Sequence, residues 1–192
     1  MKRFLTLIAF VFLAFALFAQ EHLTFKNIPI DGDIKNFTQE MIKAGFKVNA
    51  NNSSDSSTWF KGEFMGKESD ILVSHTPKGL VFKVIVLHEY TSWRNLSSAF
   101  DDATELYTQK YGMPKSKYQF FSSPYYKGDG YELQALRNDK CHYFFIWEVT
   151  NGALSVRLQY LLGNYYLTMV YEDAINQAIR DNEKEKAAYD DI

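Results

Sequence analysis

Apolar and polar residues alternate along three segments near the C-terminal end of the chain, residues 141–150, 153–162 and 165–171. A period of two is typical of β-strands that have one buried and one exposed face. The segments are separated by Asn151-Gly152 and Gly163-Asn164, residue pairs that favour two-residue hairpin turns. The pattern therefore predicts an antiparallel meander of three strands.

Turns at those pairs would place Trp147 opposite Val156 and Phe145 opposite Leu158, because a two-residue loop fixes the register of its hairpin. One face of the predicted meander is then wholly apolar, and we expect it to pack under helices in the core. Its residues are Cys141, Tyr143, Phe145, Trp147, Val149, Leu154, Val156, Leu158, Tyr160, Leu167, Met169 and Tyr171. The opposite face mixes polar and apolar residues.

Two earlier segments carry apolar residues at the three- and four-residue spacing of amphipathic helices. The first begins after Asp33, a residue type that caps helices, and ends before Gly45. The second begins after Ser92 and ends at Gly112. A helix is therefore predicted before each of the two strand-rich parts of the chain.

Further strands are predicted for residues 59–64, 70–76, 80–89 and 118–122. Residues 48–57 are rich in Asn and Ser without an apolar period, which predicts a mobile loop. Residues 132–137 fit a strand or a helical turn. A short helix should begin at Ala174, and the mostly charged residues 183–192 are expected to fray as a tail.

These elements predict an α+β fold, in which about seven to eight antiparallel strands pack on two to three helices. A helix followed by a meander occurs twice, in residues 31–90 and 91–171. The shared plan suggests an ancestral duplication, although the two halves show no residue-by-residue repeat. Residues 20–182 should form one domain, in which the halves share one sheet or form two.

The N-terminal 19 residues have the pattern of a secretory signal peptide. Lys2 and Arg3 precede an apolar run, and Ala19 offers a small residue for cleavage. A membrane-spanning helix would need about 20 apolar residues, so cleavage is favoured over retention as an anchor. We therefore expect an exported protein, periplasmic or extracellular, without an integral membrane span after cleavage. It should not be lipid-anchored, because the residue directly after the cleavage point is Gln20 and not the Cys that would carry the lipid.

Charge and cysteine content narrow the possible partners. The chain has 21 basic and 23 acidic residues, and removal of Lys2 and Arg3 leaves 19 against 23, a net charge of −4. Nucleic-acid binding requires clustered basic residues, so we expect no nucleic-acid partner. Cys141 is the only cysteine, which excludes an intrachain disulfide, and its apolar surroundings in the sequence predict a buried, inert thiol.

The sequence contains no catalytic or metal-binding motif. None of His22, His75, His88 and His142 has metal-type spacing to another ligand, and no serine lies in a Gly-x-Ser-x-Gly turn. His75 falls on the apolar face of its strand and is expected to be a hydrogen-bonded core residue. We therefore predict no catalytic residue, metal or cofactor, although a site assembled from distant residues would escape this search.

The mixed face of the C-terminal meander is the best candidate for a binding surface. Phe144, Ile146 and Tyr166 lie on this face with Arg157 among them. Such a face is most often simply solvated, since scattered surface aromatics are common. An apolar patch ringed by polar groups is, however, typical of a partner surface. We predict Phe144 and Tyr166 as anchors, with Arg157 orienting a polar or acidic group between them.

Three segments together give the chain a family resemblance: residues 23–32 (LTFKNIPIDG), 106–114 (LYTQKYGMP) and 171–173 (YED). They resemble small secreted proteins of unknown function from Gram-negative anaerobes. The resemblance implies export and an α+β fold, without an activity. In layout alone, two helix-plus-sheet units are also similar to the β-lactamase-inhibitor-like fold, in which sheets present a binding face.

The sequence favours an exported, non-catalytic binding module whose partner is an unknown protein or small ligand. Two alternatives remain open. One is a hydrolase-type enzyme with a site built from distant residues, around His88 or Tyr125 and Tyr126. The other is a carrier that encloses a small ligand between sheet and helices.

Overall fold

An eight-stranded antiparallel sheet, a two-stranded ribbon and four helices make up the fold in the computed structural model, which describes residues 21–190. The α+β prediction is confirmed. The predicted signal peptide, residues 1–19, lies outside the described residues. The elements are β1 Thr24–Phe25, β2 Ile28–Pro29, α1 Ile34–Lys43, β3 Lys47–Ser54, β4 Ser57–Phe64, β5 Lys67–His75, β6 Val81–Tyr90, α2 Trp93–Tyr111, β7 Ser116–Phe121, α3 Glu132–Arg137, β8 Cys141–Val149, β9 Gly152–Leu161, β10 Asn164–Asp173 and α4 Ala174–Asp190.

The two meanders form one sheet, in the order β3-β4-β5-β6-β10-β9-β8-β7. The last strand of the first meander, β6, pairs antiparallel with the last strand of the second, β10, so that Val86 lies opposite Met169. The first strand of each meander, β3 or β7, is an edge. The predicted repetition of a helix and a meander therefore appears as two halves joined along β6 and β10.

Both C-terminal hairpins are shifted by two residues from the predicted register. Trp147 pairs with Leu154 instead of Val156, and the turn residues are 150–151 and 162–163. A shift of two leaves every side chain on its predicted face, because strand side chains alternate with a period of two. Gly152 is inside strand β9 and not in the turn, and a Cβ there would collide with the carbonyl oxygen of Glu172.

The predicted caps begin both long helices. Asp33 accepts a 2.7 Å hydrogen bond from the backbone N–H of Lys35 at the start of α1, and Ser92 Oγ accepts from the N–H of Asn95 in α2. Residues 132–137 are helical, which settles the ambiguous segment. Helix α4 continues to Asp190 and so is longer than the predicted short helix, because it takes in most of the predicted tail. This extension is mostly exposed.

The predicted loop at residues 48–57 is also wrong, because most of this segment forms the edge strand β3 and the start of β4. Val48 pairs with Phe60 and Ser54 pairs with Ser57, with an irregular stretch between. An edge strand hydrogen-bonds on one side only, and natural edges are often polar. The Asn- and Ser-rich composition is therefore compatible with an edge strand as well as with a loop.

Aromatic side chains fill much of the layer between the sheet and helix α2. Phe100 packs edge-on against Tyr143 and Phe145, with ring centroids 5.4 and 5.3 Å apart. Trp147 is 1 % exposed, and its Nε1–H donates a 3.0 Å hydrogen bond to the carbonyl oxygen of Gly112 at the end of α2. The strand face predicted to be apolar is thus the core face.

Asp173 ties the N-terminal ribbon to the start of α4. Its carboxylate accepts hydrogen bonds from the backbone N–H of Leu23 at 2.8 Å and of Asn176 at 2.9 Å, and His22 Nδ1 lies 3.1 Å away. Asp173 has no solvent exposure, which is unusual for a carboxylate and is stabilised by these hydrogen bonds. Asn176 extends the junction by donating to the carbonyl oxygens of Ile30 and Val81.

Candidate functional site

The sheet face opposite helix α2, which we call the open face, contains a groove of about 440 Å³. Strands from both halves contribute, since β4, β5 and β6 supply one side and β9 and β10 the other. Its apolar lining consists mainly of Trp59, Leu72, Ile85, Leu161, Tyr166 and Val170. The groove therefore crosses the β6–β10 ladder and exists only because the two halves share one sheet.

The charged residues that line the groove are paired, with one exception among residues 21–190. Lys83 forms an ion pair with Glu172 inside the groove, and Lys61 lies 3.6 Å from Asp70 at its rim. Arg157 also borders the groove, but within residues 21–190 it forms no ion pair with a carboxylate.

The guanidinium of Arg157 is only partly satisfied. Its Nη2 donates a 3.2 Å hydrogen bond to Ser155 Oγ, whereas its buried Nε has no partner in the described part of the chain. A half-buried cation without a counter-charge costs free energy, because burial removes part of its hydration and no anion compensates for that loss. An anionic ligand would remove that cost, and a guanidinium binds carboxylate and phosphate groups through two parallel hydrogen bonds.

Arg157 occupies the predicted position between the two predicted anchors. Phe144 lies directly opposite it across the β8–β9 ladder. On the other side Thr168 is its neighbour across β9–β10, and Tyr166 lies two residues further along β10. Thr168 Oγ1 donates a 2.9 Å hydrogen bond to Gln159 Oε1, and Thr168 is completely buried. Solvent therefore does not reach the β10 residue that lies beside Arg157.

The four predicted residues share the open face but belong to two areas of it. Arg157 and Tyr166 line the groove, whereas Phe144 and Ile146 lie beyond Arg157, towards the β7 edge. There the ring of Tyr118 stacks on Phe144 with centroids 4.5 Å apart. The neighbouring Phe120 is 49 % exposed and packs against His142. We call Tyr118, Phe120, His142 and Phe144 the aromatic strip.

Sequence reasoning missed the part of the groove that the first half supplies. Leu72 and Ile85 interrupt the polar face of their strands, which is a weak signal of a second apolar face. It could not be connected to Arg157, because the β6–β10 pairing joins residues about 80 positions apart in the chain. The aromatic strip was missed similarly, since Tyr118 and Phe120 lie on a strand whose neighbour was unknown.

The histidines differ in how their rings are satisfied. His75 is buried, with Nδ1 3.0 Å from the carbonyl oxygen of Thr76 and Nε2 3.3 Å from Thr58 Oγ1, which confirms the predicted core role. His88 is also buried, but its Nε2 has no hydrogen-bond partner in the described residues. Burial, assisted by the positive charge of Lys67, lowers the pKa of His88 to about 4. His88 is therefore neutral and lies in the core, away from the groove.

Ser122 contacts His142, the histidine of the aromatic strip. Ser122 Oγ lies 2.8 Å from His142 Nε2, which is the contact that a nucleophile makes with its general base. Within residues 21–190 His142 Nδ1 has no hydrogen-bond partner, so the third group that orients the base in a catalytic triad is not seen there. The contact reproduces only part of a hydrolase site.

Cys141 is buried, as predicted, and burial raises the pKa of its thiol to about 12. Tyr143 is its neighbour on the core face. The predicted register also placed Leu162 opposite Cys141, and this is wrong, because Leu162 is 94 % exposed at the β9–β10 turn. Residues 21–190 contain no cluster of three or more His, Cys, Asp or Glu side chains positioned to hold a metal ion.

No helix within residues 21–190 is both long and apolar enough to cross a bilayer. Comparison with known protein families, with characterised proteins and with solved structures yields no match to this chain.

Proposed function

We propose that the protein is an exported, non-catalytic binding module that captures an acidic partner on the open face of its sheet. The observation that carries this proposal is Arg157, a half-buried guanidinium with no carboxylate partner in residues 21–190, at the border of an apolar groove. The partner would present a carboxylate or similar anion flanked by apolar groups.

The surroundings of Arg157 suit such a partner. Tyr166 and the groove offer apolar contact area on one side, and Phe144 with Tyr118 offers flat aromatic surface on the other. Aromatic and arginine side chains dominate binding energy at protein interfaces. A charge-assisted hydrogen bond to Arg157 contributes about 1.5 to 3 kcal/mol, which also fixes the orientation of the partner.

The test is capture of partners from the envelope or culture fluid of the producing cell on immobilised protein. We expect Arg157→Gln to recover at least about tenfold less of the specific partner than the unaltered protein, since one charge-assisted contact is lost. The double variant Phe144→Ser with Tyr166→Ser should also lose it. Lys61→Gln is the matched control, because it removes the same charge from the same face at an exposed, already paired residue.

The proposal fails if Arg157→Gln and the double variant recover the same partners in the same amounts as the unaltered protein. Thermal unfolding of each variant is the control for folding. Phe144, Arg157 and Tyr166 all point away from the core face, so their melting temperatures should change little. A carbodiimide-treated extract, in which carboxylates are blocked, should lose the partner as well, because the proposed contact requires an anion.

A hydrolase is the second candidate, favoured by the contact between Ser122 and His142. If that pair is catalytic, the protein should hydrolyse short chromogenic esters and Ser122→Ala should abolish the activity. Ser123→Ala is the matched control, since this exposed neighbouring serine makes no contact with His142. Ester turnover that Ser122→Ala leaves unchanged would exclude this pair as its source.

A further inference from the structure

The sheet splits between strands β8 and β9. Their ladder ends at the pair Phe144 and Arg157, although both strands continue. Residues 141–143 pair only with β7, whose ladder reaches Cys141, and residues 158–161 pair only with β10, whose ladder reaches Leu161. Two strand edges thus face each other without pairing near the middle of the second meander. We call this gap the β8–β9 cleft.

Backbone groups of both strands are directed into the cleft. Ser122 N–H donates to the carbonyl oxygen of Lys140 across β7–β8, so the even-numbered residues of β8 use their backbone groups towards β7. The odd-numbered residues of β8 therefore turn theirs towards β9, and the even-numbered residues of β9 turn theirs towards β8. In the cleft these are chiefly the N–H and C=O groups of Cys141 and Tyr160, which have no partner across it.

The cleft is also a cavity of about 300 Å³. Leu136 of helix α3 and the nearby Asp139 contribute to its lining, and His142, Phe144 and Gln159 border it on the open face. Arg157 lies at its apex, where the ladder ends, and borders both the cleft and the groove. The cavity is lined by unpaired backbone groups, by one cation, Arg157, and by one carboxylate, that of Asp139, so it is polar and not an apolar packing defect. No ion pair joins Asp139 to Arg157 within residues 21–190, so the guanidinium is available to a ligand.

We infer that the β8–β9 cleft binds the end or bend of an extended peptide segment, with a carboxylate of the peptide on Arg157. This inference rests on the proposed function and specifies the chemical class of its partner. Free strand edges offer donors and acceptors in alternation, which is the pattern that an extended peptide completes by strand addition. Arg157 supplies the complementary charge, since its guanidinium forms no ion pair with a carboxylate in residues 21–190 and donates only to Ser155 there.

Two carboxylates have this chemistry, the C-terminus of a chain and the side chain of Asp or Glu. Three acetylated probe peptides separate them: tetra-alanine with a free C-terminus, tetra-alanine amide, and Ala-Ala-Glu-Ala amide. Each is titrated into the ¹⁵N-labelled protein while amide hydrogen exchange is followed residue by residue. The amides of Cys141 and Tyr160 should exchange rapidly in the free protein, since neither donates across the cleft.

We expect at least one carboxylate-bearing peptide to slow exchange at Cys141 and Tyr160 by about tenfold or more at saturation, and the uncharged amide to have no such effect. Arg157→Gln should weaken that peptide by about tenfold, whereas Lys61→Gln should leave its affinity unchanged. Protection by the free C-terminus alone assigns a chain end, and protection by the glutamate peptide assigns an internal acidic residue.

The outcomes for the cleft and for the proposed function are separable. If peptides shift only signals of the groove, such as those of Leu72 and Ile85, the cleft inference is overturned and the open face remains the binding surface. Envelope partners that are retained through Arg157 without any protection of Cys141 or Tyr160 overturn it in the same way. Equal binding of the charged and uncharged peptides removes the role assigned to Arg157.

Discussion

The hydroxyl oxygen of Tyr107 in helix α2 lies 2.5 Å from that of Tyr171 in strand β10, and both side chains are buried. Burial raises the pKa of both phenols above their ordinary value, and their proximity raises that of Tyr107 further. Both groups therefore stay protonated, and the two buried hydroxyls form a hydrogen bond with each other. The contact fastens α2 to the strand that joins the two halves of the sheet.

Removing either hydroxyl should destabilise the protein. We expect Tyr107→Phe and Tyr171→Phe each to lower the free energy of unfolding by about 1 to 2 kcal/mol, because each leaves one buried hydroxyl unpaired. The double variant should cost less than the sum of the two, since it leaves no unpaired group. Urea titration measures all three, and additive losses would contradict a direct bond between the hydroxyls.

His88 should make the protein sensitive to mild acid. Its pKa is about 4 in the folded chain and near 6.5 when unfolded, so between those pH values the unfolded chain binds the proton more tightly. Stability is therefore retained above about pH 6.5 and is lost as pH falls towards 4. From pH 7 to pH 5 we expect this group alone to cost about 2 kcal/mol.

The matched variant is His88→Leu, which replaces the imidazole with an apolar side chain of similar size and so removes the titrating group. Denaturant titrations at pH 7 and pH 5 should show a smaller loss for His88→Leu than for the unaltered protein. At pH 7 the variant should be as stable or more stable, because the unaltered His88 Nε2 is buried without a partner. The same acid sensitivity in both proteins would assign the effect to other groups.

Cys141 should react slowly in the folded protein. Its thiol is buried and its pKa is raised to about 12, so very little reactive thiolate is present near neutral pH. Labelling with a chromogenic disulfide should be slow in buffer and fast in denaturant. Comparable rates in the two conditions would show that the core face opens readily near the start of β8.

Trp93 should contribute less than a fully buried tryptophan. It is partly buried at the start of α2, where its ring contacts Phe121 and Tyr143 edge-on at 5.5 and 5.3 Å. Full burial would predict a loss of about 3 to 5 kcal/mol for Trp93→Ala, so we expect about 2 kcal/mol. Tyr126→Ala, at a residue that is 66 % exposed, should cost less than about 0.5 kcal/mol in the same urea titration.

Local patterns predicted what depends on neighbours in the chain. Alternation assigned Trp147 and Arg157 to opposite faces, and this survived a register error of two residues because faces repeat with that period. The caps Asp33 and Ser92 likewise act within a few residues of themselves. For the same reason Arg157 could be recognised as a candidate from the sequence alone.

Features that depend on distant pairing escaped prediction. Asp173 resembles a solvated acid in the sequence, and it is buried because Leu23, 150 residues away, donates to it. The groove and the β8–β9 cleft arise from which strands pair and where a ladder stops, and neither property is encoded in a single segment.

The strand order has a consequence for the folding of this chain. Every ladder of the eight-stranded sheet joins strands that are consecutive in sequence, except the one between β6 and β10. Five ladders can therefore close over short loops with little entropic cost, and the β7–β8 ladder closes over residues 122–140, which include helix α3. The ladder between β6 and β10 must wait for the encounter of two distant segments. The groove crosses that last ladder. Ligand-binding competence should consequently be the final property that a newly made chain acquires, and it would serve as a reporter of complete assembly.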